Sequence, residues 1–214
     1  MEEKHLLLIT RYFPPINCIA TLRMYAFAKY FSKWGWKVSV LTTSKFKQDA
    51  LPLNLDVTFA DVYEVGYFDP LCLTNLEKQV KSKDKNLEKK TFLNRIKHRL
   101  VRFYRERLNE RIPGRTDLWY FPALKKLKSL KSQGVHFDYV LSSYGPPMCH
   151  LLGAKAKELF NAKWLADYRD LWIENHIYKG LWPFTLLESF LEKDRKSTRL
   201  NSSHQIISYA VFCL

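Results

Sequence analysis

The sequence predicts an α/β fold in which helices cover both faces of a parallel sheet. Short apolar runs typical of buried strands recur along the chain, and helix-like segments separate several of them. The chain has 214 residues, of which 47% are hydrophobic and 15% aromatic. That length and composition are sufficient for one globular domain with a substantial core.

The first predicted unit is a strand at 6–10, a helix from about 20 to 33 and a second strand at 37–43. Gly35 stands where a helix C-terminal cap is expected. A stripe that points toward the sheet is predicted from three residues of the helix: Leu22, Ala26 and Tyr30. A strand, a crossover helix and a second strand form the repeating unit of a Rossmann-like sheet.

The elements that follow are predicted from apolar patterning and turn residues. Residues 57–65 alternate enough to form a third strand, and 69–90 are expected to be a loop or charged connector. The remaining predictions are a Lys-rich helix that follows 119–123 and ends before Gly134, a strand at 137–141, a turn at 142–147, a helix at 150–160, a strand at 164–166 and a helix at 185–193.

Charged residues directly follow the last predicted strand. Asp167, Arg169 and Asp170 come after 164–166, at the carboxyl end of that strand. Open α/β sheets bind their ligands outside this end of the strands. We therefore predict that at least one of these three side chains faces a binding cleft. The alternative is a salt bridge between Arg169 and one of the aspartates that only holds the strand end in place.

Two blocks of sequence resemble one enzyme family. The first contains the strand 6–10, the segment Tyr12-Phe13-Pro14-Pro15, Arg23 and the second strand. The second contains 137–141, a Ser-rich turn with Pro146-Pro147, and Arg169-Asp170-Leu171-Trp172. In this order they resemble the N-terminal half of family 4 glycosyltransferases of the two-domain GT-B type.

The resemblance implies a fold, a reaction and a division of labour between two domains. The intact enzyme would transfer a sugar from a nucleotide-sugar donor to a lipid-linked or saccharide acceptor in cell-surface polysaccharide synthesis. It would retain the anomeric configuration and require no metal or other cofactor. This domain would supply the acceptor side, and a further C-terminal domain would bind most of the donor. A chain without that domain is expected to be inactive.

The resemblance also assigns roles to particular positions. Asp167, Arg169 and Asp170 are the catalytic candidates, with one Asp as a possible base. The substrate-binding candidates are Arg11, Asn17, Thr21, Arg23, Ser142, Ser143 and His150. The family usually has a Gly-Gly pair after Pro-Pro, whereas this chain has Asn17 and Thr21 in that loop, which would donate hydrogen bonds or cap the following helix. His150 has a structural interpretation as well, and the two serines lack a partner pattern for nucleophilic catalysis.

Positive charge is concentrated in the middle of the chain. The net charge is +14, and most of the excess lies between 78 and 130. Apolar residues recur every three or four positions over 91–110, with basic residues between them, which predicts a basic amphipathic helix. Its membrane-facing candidates are Arg95, Arg99, Arg102 and Arg105. The alternative is a helix that packs its apolar side onto its own sheet. Nucleic acid is not the expected partner, because no recognisable nucleic-acid module accompanies the charge.

Residues 194–214 resemble the translation of an adapter DNA sequence. Back-translation of 194–204 and 207–214 yields a common sequencing-library adapter, and Gln205-Ile206 stands where its sample index would be. We therefore expect 194–214 to be a translated artefact outside the fold and 1–193 to be a truncated domain. The alternative is a genuine amphipathic tail.

Other sequence signals bear on location and function class. No uncharged apolar run reaches the ~20 residues of a membrane span, and the N-terminus lacks the pattern of a signal peptide. Cys18, Cys72 and Cys149 are widely spaced, which favours reduced thiols and no metal site. We expect a cytoplasmic protein, peripheral on the inner face of the plasma membrane. The alternative function is a non-catalytic basic α/β module that binds anionic membrane or another polyanion.

Overall fold

The computed structural model describes residues 4–44, 52–68, 99, 114, 116–168 and 182–197, the last six of these without their side chains. The predicted connector at 69–90 lies outside the described residues. So do Arg169, Asp170 and the basic helix at 91–110, except for Arg99, which is helical and exposed.

A five-stranded parallel sheet forms the centre of the fold. Its strands lie in the order β3-β2-β1-β4-β5, and every neighbouring pair is parallel. The strands are β1 His5–Ile9, β2 Lys37–Thr43, β3 Asp61–Val65, β4 Tyr139–Ser143 and β5 Lys163–Asp167. The predicted α/β, Rossmann-like fold class is confirmed. Ser142 and Ser143 are the last residues of β4, so the prediction that they begin a turn is wrong.

Helices flank this sheet in the described part of the chain. They are α1 Ile19–Lys33, α2 Tyr120–Ser132, α3 Met148–Phe160 and α4 Phe184–Ser197. A 3₁₀ turn, Asp117–Trp119, leads into α2. Pro122 lies in the first turn of α2, where the N–H that proline lacks would have no partner within the helix. Helix α2 therefore begins earlier than its lysines predict.

Two hydrophobic cores lie on opposite faces of the sheet. Leu6 and Leu8 of β1 pack on one side with Met24 and Ala28 of α1. Leu7 and Ile9 of the same strand point to the other side, where α2 and α3 pack. Successive strand residues point to opposite faces, so a strand between two helical layers must be apolar throughout. The near-continuous apolar run of β1 follows from this position.

Helix α1 turns a different side to the sheet from the one predicted. Its buried residues are Thr21, Met24 and Ala28, whereas Leu22 and Tyr30 are exposed. The prediction of an inward stripe at Leu22, Ala26 and Tyr30 is therefore wrong. Apolar and aromatic residues occur on all sides of this helix, so a spacing of three to four residues is found on more than one side. The predicted C-terminal cap is confirmed, since Gly35 has a φ of +79°.

Candidate functional site

From β1 the chain adds β2 and β3 toward one edge of the sheet, and it then adds β4 and β5 on the other side of β1. The strand order therefore reverses between β1 and β4. Residues after β1 lead to α1 on one face, and residues after β4 lead to α3 on the other. The two connections diverge at the carboxyl ends of these adjacent strands. This reversal is where doubly wound sheets bind ligands, and the predicted polar residues lie around it.

Asp167, the last residue of β5, connects three elements. Its Oδ1 accepts a hydrogen bond from Arg23 Nη2 of α1 at 2.7 Å, and its Oδ2 accepts one from Ser143 Oγ of β4 at 3.1 Å. Its backbone oxygen accepts the Tyr144 N–H at 2.8 Å. The side chains of Arg23 and Asp167 are 28% and 6% exposed. We call Arg23, Ser143 and Asp167 the edge cluster.

Arg23 retains hydrogen-bonding capacity within this cluster. Its Nε is buried and contacts no acceptor among the residues that the structure describes. Its guanidinium lies 5.7 Å from the ring centroid of Phe27 and makes a cation–π contact with it. The rest of the guanidinium is partly exposed, and a partly exposed guanidinium suits a bound phosphate or carboxylate.

A second hydrogen-bond network, in which Ser142 and His150 are buried and Trp164 is half-buried, lies on the α3 side of β4 and β5. Trp164 Nε1 donates to Ser142 Oγ at 2.8 Å, and Ser142 Oγ lies 2.8 Å from His150 Nδ1. An indole N–H can only donate, so the serine oxygen is an acceptor there and has its own hydrogen and a second lone pair available to His150. We call Ser142, His150 and Trp164 the inner network.

Aromatic rings enclose His150. Its ring centroid lies 4.3 Å from that of Tyr168 and 5.9 Å from that of Tyr144. The rings of Tyr144 and Tyr168 are nearly parallel, at 8°. The histidine itself has no exposed surface. Its position is that of a group that holds the strand ends and the start of α3 together.

Gly153 allows α3 to approach the inner network closely. A Cβ atom at this position would lie 2.5 Å from Trp164 Nε1 and 2.8 Å from Ser142 Oγ. Both distances are far below van der Waals contact, so only glycine fits without displacing the network. A glycine inside a helical pattern often has such a packing reason, and this signal would have indicated the site from sequence. Nothing comparable in the sequence indicates Trp164 or Tyr168.

The loop after β1 and the first turn of α1 hold the other substrate-binding candidates. The guanidinium of Arg11 lies 5.4 Å from the ring of Tyr12, and its backbone oxygen accepts from Thr42 Oγ1 at 3.2 Å. Asn17 is exposed, and Thr21 is buried with its Oγ1 3.3 Å from Cys18 Sγ. The N-cap of α1 is Cys18, and no side chain caps the helix. The prediction that Asn17 or Thr21 caps it is wrong.

A further pair of carboxylates, Asp117 and Glu188, involves the segment just before α2. Burial, and to a smaller extent the charge of Glu188 on α4, raises the pKa of Asp117 to about 6. The Gly114 N–H donates to Asp117 Oδ2 at 2.7 Å and opposes that rise. Sequence reasoning did not single out either residue, because they are distant in the chain.

Comparisons with known proteins add no family assignment. No protein-family model matches the chain, and no curated protein matches it. Within the described ranges, no group of three or more His, Cys, Asp or Glu side chains is placed to hold a metal ion. Among those same ranges, none of the helices combines the length and apolar character that crossing a membrane requires.

Proposed function

We propose that this chain is the acceptor-side domain of a retaining glycosyltransferase of the two-domain GT-B type. The complete enzyme transfers a sugar from a nucleotide-sugar donor to a lipid-linked or saccharide acceptor in cell-surface polysaccharide synthesis. It works at the cytoplasmic face of the membrane and needs no metal. The observation that carries this proposal is the edge cluster, which lies at the carboxyl ends of the strands beside the reversal in strand order.

The geometry of the edge cluster suits binding and orientation of a substrate. Sugar transfer requires an acceptor hydroxyl to be held against the donor while negative charge develops on the leaving diphosphate. Arg23 is partly exposed, which suits an anionic oxygen of donor or acceptor. Both carboxylate oxygens of Asp167 already accept hydrogen bonds. In this proposal Asp167 therefore orients Arg23 and Ser143, and it does not act as the base.

The test is sugar transfer by the enzyme in which this domain is joined to its donor-binding domain. Resequencing the coding DNA across the codons for Glu192 and Lys193 tests whether the frame continues into such a domain. Arg23→Gln and Asp167→Asn should each lower kcat/KM about a hundredfold, as loss of an oriented charge-stabilising donor does. Arg23→Lys should recover only part of the activity, because an ammonium keeps the charge but not the planar fork.

Asp138 provides a matched control at the opposite edge of the sheet. It is a partly buried carboxylate just before β4, and its Oδ2 accepts the His5 N–H at 2.8 Å. Asp138→Asn should leave sugar transfer close to the wild-type rate. Equal losses in Asp138→Asn and Asp167→Asn would contradict the proposal. Absence of transfer with every nucleotide sugar, together with binding to anionic vesicles, would favour the non-catalytic basic module.

A further inference from the structure

The outward side of α1 and the residue that caps its C-terminus, Trp34, carry an apolar stripe. Exposed side chains on it are Ile19 at 88%, Leu22 at 50%, Tyr30 at 52% and Trp34 at 61%. With Ala26, these residues recur three or four positions apart, which places them on one side of the helix. We call Ile19, Leu22, Ala26, Tyr30 and Trp34 the outer stripe. A soluble helix normally turns such a stripe inward, so its exposure calls for a partner.

A further exposed apolar residue lies on the α1 side of the sheet, on the edge strand β5. Leu165 is 56% exposed, and strand alternation places it on the same face as Asp167. Asp167 contacts Arg23 of α1, so Leu165 lies on the α1 side of the sheet. Lys163, at the start of this strand, is on that side as well, with its Nζ 5.7 Å from the ring centroid of Tyr139.

Lysines accompany the aromatic residues of this surface. Helix α1 contains no Asp or Glu. The ammonium of Lys33 lies 5.8 Å from the ring centroid of Tyr30, and that of Lys29 lies 5.6 Å from the ring centroid of Tyr25. Ring faces that already carry an ammonium group are poor platforms for stacking a sugar. The surface instead combines apolar side chains with positive charge.

We propose that the outer stripe lies on the surface of an anionic lipid bilayer. An amphipathic helix with aromatic residues on one side and lysines beside them rests in the interface with its apolar side inserted by ~5–10 Å. Tyr and Trp favour that depth, and the lysines attract anionic headgroups. This surface is distinct from the basic segment at 91–110.

The inference rests on the proposed function and selects a lipid-linked acceptor from its two acceptor classes. Leu22 precedes Arg23 directly, and Ile19 lies one turn before it on α1. A helix that lies flat on a bilayer would therefore hold the edge cluster close to the membrane surface. An acceptor anchored in the same bilayer would reach Arg23 by lateral diffusion.

The experiment is cosedimentation of the full 214-residue chain with lipid vesicles. The vesicles contain equal parts of phosphatidylcholine and phosphatidylglycerol, and phosphatidylcholine vesicles serve for comparison. The double substitution Tyr30→Ser and Trp34→Ser should weaken binding to the anionic vesicles about tenfold or more. Both side chains are exposed, so folding should not change, and circular dichroism checks this.

Matched variants on α2 control for the large overall charge. Phe121 is 68% exposed on the opposite face of the sheet, and Phe121→Ser should bind vesicles as the wild type does. Charge reversal of Lys29 and Lys33 to Glu should weaken binding more than the same reversal of Lys125 and Lys128. Both double reversals change the net charge by the same amount. A difference in vesicle binding between them therefore reports where the lysines lie and not the long-range attraction of the whole chain.

A second measurement reports directly on Trp34. Lipids brominated on their acyl chains should quench part of the tryptophan fluorescence of the wild type on anionic vesicles. That part should be lost in Trp34→Phe, which retains an aromatic side chain for binding. Quenching that is identical in wild type and Trp34→Phe would overturn the proposal.

Three further outcomes would overturn the proposal. The first is wild-type vesicle binding by the Tyr30 and Trp34 double variant, with loss of binding only when Arg95, Arg99, Arg102 and Arg105 become Ala. The second is an equal loss in Phe121→Ser. The third is a dimer in solution that Trp34→Ser dissociates, which would make a second copy the partner of the stripe.

Vesicle binding is measured without any sugar donor. The proposed membrane surface and the proposed sugar transfer are therefore tested independently of each other. If the stripe binds vesicles but the joined enzyme transfers no sugar, the membrane surface stands and the proposed function fails. If the joined enzyme transfers sugar to a soluble acceptor and the stripe variants bind vesicles normally, the proposed function stands and the membrane surface fails.

Discussion

Replacing Gly153 with alanine should destabilise the protein, although this change strengthens most helices. Gly153 lies inside α3, and an added Cβ would come within 2.5 Å of Trp164 Nε1 and within 2.9 Å of both Ser142 Oγ and Ser142 Cβ. These atoms belong to a strand and an aromatic ring, so they cannot rotate away as a flexible side chain would. The helix must move outward, or the inner network must separate.

The change in the free energy of unfolding is the sum of one stabilising and two destabilising contributions. Alanine in place of glycine inside a helix stabilises by about 1 kcal/mol. Overpacking a close-packed site costs about 1–3 kcal/mol. Pulling Ser142 and Trp164 apart leaves buried polar groups without partners and costs about 1–3 kcal/mol more. We expect the free energy of unfolding to fall by about 1–5 kcal/mol in total.

Urea unfolding followed by circular dichroism measures this change. Ala154→Gly, at the next position of the same helix, is the matched control, and it should cost only about 1 kcal/mol from helix propensity. Adding Trp164→Phe to Gly153→Ala removes the nearest atom and should recover part of the loss. A Gly153→Ala protein as stable as the wild type, or more stable, would refute the close approach of α3 to the inner network.

Two further predictions concern the dependence of stability on pH. The raised folded-state pKa of Asp117, about 6 against 3.8 in the unfolded chain, means that stability falls as pH rises from about 4 to about 6 and stays lower above it. In urea titrations Asp117→Asn should lack this fall and should be about 1–3 kcal/mol more stable than the wild type at neutral pH; a fall of wild-type size in the variant would contradict the assignment. Burial, followed by the charge of Lys37, lowers the pKa of His5 below 6.5, so its contribution to stability is present above that value and is lost as pH falls. His5→Gln should therefore lose less stability than the wild type between about pH 7 and about pH 5, and an unchanged slope there would contradict that cause.

The parallel sheet could be predicted because its signals are local. Strand β2 was predicted at the residues where it is observed, and the predicted start of α1 differs by one residue. Continuous apolar runs, a glycine cap and a crossover helix depend on neighbours within a few positions. The candidate site was predictable to the extent that carboxyl ends of parallel strands share one edge. That rule placed Asp167 correctly at the end of β5.

The sequence by itself therefore determined the order of the described strands and helices and the edge at which polar residues gather, although several element ends differ from the prediction. The tertiary structure alone decided that Arg23 pairs with Asp167, since these residues are 144 positions apart and no local pattern joins them. It also decided which side of α1 is buried. When a helix has apolar residues on all its sides, helical periodicity alone does not identify the side that is buried. Packing against the sheet makes that choice: Thr21, Met24 and Ala28 fit between α1 and the strands, and the larger Tyr30 and Trp34 remain outside.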